Sequence, residues 1–266
     1  MSYRPFALFA LFICLLLSSR PSMAQTGTCA TVIPGQALPD LIVNPAALRA
    51  NLVVTRENFS QTQCAVVEGC VDRRGQHQLL RFAVSTPNVG AGDLVIGDPN
   101  DCPGLFHQSE CHGHLHYKEF ADYRLWTEAG YTVWAGSRDV NSPTNTGVNA
   151  SLLASAEQSG DLLVGRKQGF CLIDSTRYSG NRAQQFTTCA NQGLTAGWAD
   201  IYGQQLDCQY IQIDGLATGI YVLEVQVNPE WFLPEEPGKY NNNSATVRFE
   251  FTTRKGNGPP KLTILN

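Results

Sequence analysis

Nine cysteines are spread through 266 residues, and eight of them limit what the exported chain can fold into: Cys29, Cys64, Cys70, Cys102, Cys111, Cys171, Cys189 and Cys208. The ninth, Cys14, lies in a segment laid out like a secretory signal peptide. Arg4 precedes an apolar run from Phe6 to Leu17, and the small residues Ser22 and Ala24 take the −3 and −1 positions of a cleavage site before Gln25. That run is short for a membrane span. Residues 1–24 are therefore expected to be removed, leaving a soluble protein that is secreted or periplasmic. An even number of cysteines in an exported chain points to disulfides. No C-x-x-C pair offers a thiolate metal site.

The length fits one ordinary domain with a sizeable core. Short apolar runs rich in Val, Ile, Tyr and Phe alternate with Gly, Pro, Asn, Ser and Thr. Strands are expected at Leu79–Ser85, Asp93–Ile96, Phe120–Trp126, Tyr131–Ala135, Gln209–Ile213, Gly219–Val227 and Ala245–Thr252. Short helices are expected at Pro45–Asn51 and Ser151–Gln158, and long loops at Ser137–Gly160 and Arg177–Ala199. The fold class is mainly β: one β-sandwich-like, disulfide-stabilised domain over residues 25–252 with few short helices. Residues 253–266, with Lys255-Gly256-Asn257-Gly258-Pro259-Pro260, are expected to form a loose tail. A net charge of −4 argues against a nucleic-acid partner.

The chemistry concentrates in Cys111-His112-Gly113-His114-Leu115-His116-Tyr117-Lys118-Glu119-Phe120. The chain has five histidines; three stand here at alternate positions and His107 is just upstream. Neutral imidazole is the common nitrogen ligand of copper, zinc, iron and nickel. Alternation puts His112, His114 and His116 on one face of an extended segment. In a flat strand rising ~3.3 Å per residue, the outer Cα atoms stand ~13 Å apart, too far for bonds of ~2.0 Å to one ion. The segment must curve at Gly113 or supply only two ligands. Spacing does not choose between zinc and copper. A solvated strand face that happens to carry histidines is the bland alternative.

From these histidines outward the sequence resembles the catalytic domain of the lysyl oxidase family. The resemblance rests on the Cys111–Phe120 segment with Tyr123; Leu38-Pro39-Asp40-Leu41; Leu79-Leu80-Arg81-Phe82 with Asn88-Val89-Gly90; and Lys167-Gln168-Gly169-Phe170-Cys171-Leu172. It continues through Asp200-Ile201-Tyr202-Gly203, Asp207-Cys208-Gln209-Tyr210-Ile211, and Val227-Asn228-Pro229 with Tyr240-Asn241-Asn242. It covers most of residues 38–252, in order.

The resemblance implies a copper ion on His112, His114 and His116, and a lysine tyrosylquinone made from Lys167 and Tyr202. Forming that cofactor needs a neutral lysine amine, so the site must depress the lysine pKa. The implied reaction takes a primary amine, lysine side chains of proteins among them, with molecular oxygen to an aldehyde, hydrogen peroxide and ammonia. Asp200 is the candidate general base, weighed evenly against a turn or capping aspartate. His107 is a fourth ligand, a supporting donor or an exposed loop residue.

The resemblance also implies the pairs Cys64–Cys111, Cys70–Cys208 and Cys171–Cys189, leaving Cys29 and Cys102 to each other. A further family bridge falls at Arg177 and Trp198, where both cysteines are absent, so that loop is expected to be looser. Asn141–Gly160 has the character of an insertion, and the long propeptide and scavenger-receptor modules of some animal members are not seen. Three other readings compete: a non-catalytic exported copper-binding protein on the same fold, a structural β-sandwich stabilised by a metal, and a zinc hydrolase. Lys167 and Tyr202 in their motif contexts count against the first. No HExxH helix supports the third.

Overall fold

The structure is a computed structural model that describes residues 35–109, 111, 113–138, 146–166, 169–254 and 260–265. The expected signal peptide and Cys29 lie outside the described residues, as do His112 and Lys167.

The chain opens with helix α1 (Pro45–Ala50), capped by Asn44, whose side chain accepts from the amides of Ala46 and Ala47. Then come β1 (Val53–Phe59), the single turn α2 (Cys64–Val67), β2 (Gly75–Arg81), β3 (Val84–Pro87), β4 (Leu94–Gly97), β5 (Phe106–Gln108), β6 (Leu115–Tyr117) and β7 (Ala121–Thr127). Helices α3 (Glu128–Ser137) and α4 (Thr146–Ser159) lead to β8 (Leu162–Val164), β9 (Thr176–Arg177), β10 (Gln192–Leu194), β11 (Trp198–Tyr202) and β12 (Tyr210–Gln212). The chain finishes with β13 (Gly219–Val227), β14 (Ser244–Thr252) and β15 (Lys261–Ile264).

The largest sheet is antiparallel, in the order β15-β14-β13-β7-β8. Alternation along β14 explains it: Ala245, Val247, Phe249 and Phe251 point inward, and Thr246, Arg248 and Glu250 outward. β13 is buried on both faces from Tyr221 to Val227. One face enters the main core with Phe82, Tyr123 and Tyr202. The other lies under α3 and α4, where Trp134 stacks on Trp126. Glu224, fully buried in that second layer, accepts from both indole N–H groups and from Arg138. Smaller sheets, β1-β2-β12, β3-β11-β9 and β4-β10, complete the domain, which is mainly β as expected.

Three expectations need correction. Tyr131–Ala135 is helical, inside α3: the Thr127 hydroxyl accepts from the Gly130 amide and caps it, and burial of Trp134 outweighs the β preference of Tyr, Thr and Val. Leu79–Ser85 is not one strand. Arg81 ends the pairing with β1 and β12, and Val84 begins pairing with Tyr202 on β11. The tail is not wholly loose, because Lys261–Ile264 hydrogen-bonds to Phe249–Thr252 as an edge strand. The insertion at 141–160 contains α4, whose Leu153 and Ala156 pack beside Trp126 and Trp134.

The disulfides are Cys64–Cys111, Cys70–Cys208 and Cys171–Cys189, with Cα–Cα separations of 5.6, 5.3 and 5.4 Å. These are the three pairs that the resemblance implied. Cys102 is disulfide-bonded too.

Candidate metal and cofactor site

The histidine segment is built as a β5–β6 hairpin, with His107 opposite His116 and Gln108 opposite Leu115. Gly113 has φ +68°, a left-handed conformation that turns the chain sharply. The segment is therefore curved, as three convergent ligands require. His116 is 7 % exposed and His114 half-buried. Their Nε2 atoms stand 2.8 Å apart. One shared proton would satisfy the pair, and so would one ion: two nitrogens ~2.0 Å from a common metal and at a right angle lie at about this separation. His107 stands on the rim with its ring edge-on to His116 at 5.5 Å. Partial burial, then the Lys118 charge, hold its pKa below the usual histidine value.

Three consecutive residues carry the structure from these histidines to Tyr202. Gly169 comes first. A Cβ there would fall 2.2 Å from His107 Cε1 and 3.1 Å from His116 Cβ, so only glycine lets the strand approach the rings. Phe170 follows, its backbone exchanging hydrogen bonds with Tyr117 at 2.7 and 3.1 Å. Its ring meets the Tyr202 ring edge-on at 4.5 Å. The carbonyl of Cys171 then accepts the Tyr202 hydroxyl at 2.7 Å. Lys167, two residues before Gly169, is outside the described residues.

Asp200 and Tyr202 lie two apart on β11, so strand alternation turns both to the same buried side. The single hydroxyl proton of Tyr202 is shared between Cys171 O and Asp200 Oδ2, the latter at 2.6 Å. The Asp200 carboxylate is 2 % exposed. It also accepts from Ser175 Oγ at 2.6 Å and from the amides of Ile201 and Ile173 at 2.9 and 3.3 Å. Asp200 thus sits in mid-strand, not at a helix cap or a turn. Burial pushes its pKa up to about 6 against the pull of those four donors. The Tyr202 phenol is raised well above its usual value, by burial first and then by the Asp200 charge beside it.

Ser175, Phe170 and Gly169 were not singled out from sequence. The one local signal for them is Gly169 itself, a glycine between Gln168 and the apolar Phe170-Cys171-Leu172. One other group of ligand-type side chains, Glu68, Cys70 and Cys208, lies within 4.8 Å of one another among the described residues. Cys70 and Cys208 are bonded to each other, so neither offers a thiolate.

The sequence is similar to known proteins. The family model described as Lysyl oxidase matches residues 154–257. Human lysyl oxidase homolog 1 is 29 % identical over 230 residues, covering 83 % of this chain and 34 % of that protein. Human protein-lysine 6-oxidase is 29 % identical over 225 residues, covering 81 % of this chain and 46 % of that protein. Over these residues the chain is similar to the lysyl oxidase family. Pig protein-lysine 6-oxidase, at 28 % identity, is covered over 77 % of its length. The chain spans about a quarter to a half of the length of the human relatives it matches.

Proposed function

We propose that this chain is an exported, copper-dependent amine oxidase. It deaminates primary amines oxidatively, lysine side chains of proteins among them, to aldehydes, with hydrogen peroxide and ammonia as by-products. One observation carries the reading. Gly169–Cys171 packs against the His107 ring and the His116 Cβ at one end and holds the Tyr202 ring and hydroxyl at the other. A metal and a tyrosine that must react together would need such a link. The protein-lysine 6-oxidases among the relatives support the same substrate class.

The residues present fit copper. His114 and His116 are imidazole nitrogen donors with Nε2 atoms converging to 2.8 Å, and imidazole suits copper. His112 completes the set in this reading. With copper held there, and Lys167 and Tyr202 joined as the quinone, the site would supply an electrophilic carbonyl for an amine and a two-electron acceptor that oxygen re-oxidises. The chain's own residues do the rest. Cys171 O and Asp200 Oδ2 fix the orientation of the tyrosine, and Phe170 packs against its ring and keeps water from that side. Asp200, with a pKa of about 6, is ionised at neutral pH and able to take up a proton at Oδ2, as a general base must. Export follows from the expected signal peptide and agrees with the disulfides. Among the described residues, no helix is long and apolar enough to cross a membrane.

The test is peptide mass mapping of protein produced with copper and oxygen, beside a Lys167→Arg control. A covalent link between the Lys167 and Tyr202 peptides, present in the parent and missing in the control, is expected. Separate, unmodified peptides in protein carrying stoichiometric copper would overturn the oxidase reading in favour of a non-catalytic copper-binding protein.

A further inference from the structure

Gln192 is fully buried in the first position of β10, and its side-chain amide is used in three directions. Its Nε2 donates to Leu115 O at 2.9 Å and to Cys189 O at 3.2 Å. Its Oε1 accepts from the Leu172 amide at 3.0 Å. The next residue adds a fourth link, Gly193 N to Leu172 O at 3.1 Å. Each contact reaches a different part of the site. Leu115 lies between His114 and His116, so its carbonyl defines the peptide plane from which the His116 ring projects. Leu172 follows the Gly169–Cys171 link. Cys189 is the far end of the disulfide that anchors Cys171.

We propose that Gln192 is a positioning residue for the metal segment: its amide fixes the Leu115 peptide, and with it the His114 and His116 imidazoles, against the strand that holds Tyr202. The inference rests on the copper-oxidase reading and adds a residue to it. The geometry is specific to an amide. A donor must face Leu115 O while an acceptor faces Leu172 N, and of the uncharged side chains of this reach only glutamine offers both. A carboxylate of the same shape would set oxygen against the Leu115 carbonyl. An apolar side chain would leave that carbonyl and the Leu172 amide without their partners.

The experiment uses the full exported chain and copper(II) itself. Copper affinity is measured by chelator competition, and the copper(II) EPR spectrum is recorded, for the parent, Gln192→Glu, Gln192→Leu and Thr195→Val. The last removes a buried hydrogen bond from Thr195 Oγ1 to Asp174, away from the histidines, and serves as a matched structural control. Positioning by Gln192 predicts an affinity at least about tenfold weaker and a changed spectrum in whichever Gln192 variant folds, with both readouts at parent values in Thr195→Val. A Gln192 variant with parent affinity and spectrum but a lowered Tm would overturn the proposal. So would failure of both Gln192 variants to fold while Thr195→Val folds, since Gln192 would then be purely structural. A parent that takes up no copper would instead overturn the oxidase reading, and the positioning role with it.

Discussion

The histidine loop, residues 109–114, and the long loop between β9 and β11 both end beside the site, yet they are secured differently. The histidine loop is short and has a covalent anchor, Cys111 to Cys64 on α2, reinforced by Ser109 Oγ donating to Glu68 at 2.6 Å. The long loop has one bridge, at Cys189, and none at its base. It wraps instead around two carboxylates. Asp174, 1 % exposed, accepts from the amides of Gln185, Phe186 and Thr195 and from Thr195 Oγ1. Asp93 accepts from Arg182, Gln185 and the Ala196 amide. The difference follows from what the side chains are for. Imidazoles that would hold an ion cannot also serve as anchors, so their loop is tied through a cysteine. The long loop has residues to spare and closes around charge-assisted hydrogen bonds.

The largest effect should come from cutting the covalent anchor. Closing a loop of 47 residues between Cys64 and Cys111 stabilises by about 4 kcal/mol in the chain-entropy treatment. Cys64→Ser/Cys111→Ser should lose about that much in urea unfolding, and copper uptake should fall with it. Loss of stability with unchanged copper affinity would show that the histidine hairpin holds its own shape. Asp174→Asn is the matching cut in the long loop. It turns an amide toward N–H donors and should cost about 2–3 kcal/mol. Limited proteolysis should then open residues 178–188, short of Gln192, with copper binding retained. If copper were lost as well, the two regions would be one cooperative unit and the contrast would dissolve.

Much of this architecture was legible in the residues, and the failures have physical causes. β13 and β14 stood out because long alternating or fully apolar runs have few other homes. β1 was missed because Arg56 and Glu57 dilute its alternation; Glu57 is there to pair with Arg81 at 2.6 Å across the sheet, which no local pattern reveals. α3 was misassigned because its aromatic and β-branched residues carry strand propensity, while the Thr127 cap and the Trp134–Trp126 stack decide for helix. At the site, alternation announced the histidines and Gly113 announced the bend. The disulfide pairs came from family resemblance alone. Ser175 and Gln192 were invisible because the contact that matters for each is distant in sequence: Asp200 lies 25 residues from Ser175, and Leu115 lies 77 from Gln192.

Ser175 stands just before β9, where the chain enters the long loop, and its hydroxyl holds Asp200 on β11. Removing it in Ser175→Ala takes away a hydrogen bond that favours the carboxylate form, so the Asp200 pKa should rise above its value of about 6, by on the order of one unit. The signs are definite. Because the folded pKa is raised, protonated Asp200 adds stability fully present below its unfolded value and lost as pH rises through about 6. The variant extends that window to higher pH. A general base must be ionised, so the acid limb of amine oxidation should move to higher pH by the same amount. An acid limb that stays put would remove Asp200 from that role.

The smallest effect concerns the base of the long loop, and it asks whether a bridge is missing there in energetic terms. Arg177 and Trp198 are direct partners across β9 and β11, at the positions where the family resemblance places a cysteine pair. The Arg177 guanidinium lies over the indole, 5.3 Å from its centroid. Such a contact at an exposed site is worth about 0.5–1 kcal/mol. Arg177→Ala should therefore lower stability by that amount and leave copper binding and the Asp200-dependent pH profile unchanged. Arg177→Cys/Trp198→Cys sharpens the point. The paired register should let the two thiols oxidise to a further bridge, seen as no gain in free thiol over the parent, with stability above the Arg177→Ala variant. If the pair stayed reduced in oxidising conditions, the β9–β11 geometry would have diverged from that of a bridged loop, and the arginine–tryptophan contact would be an unrelated solution. If it oxidised and stability rose well above the parent, the base of the long loop would be its weakest point, with Asp174 and Asp93 doing most of the holding further along.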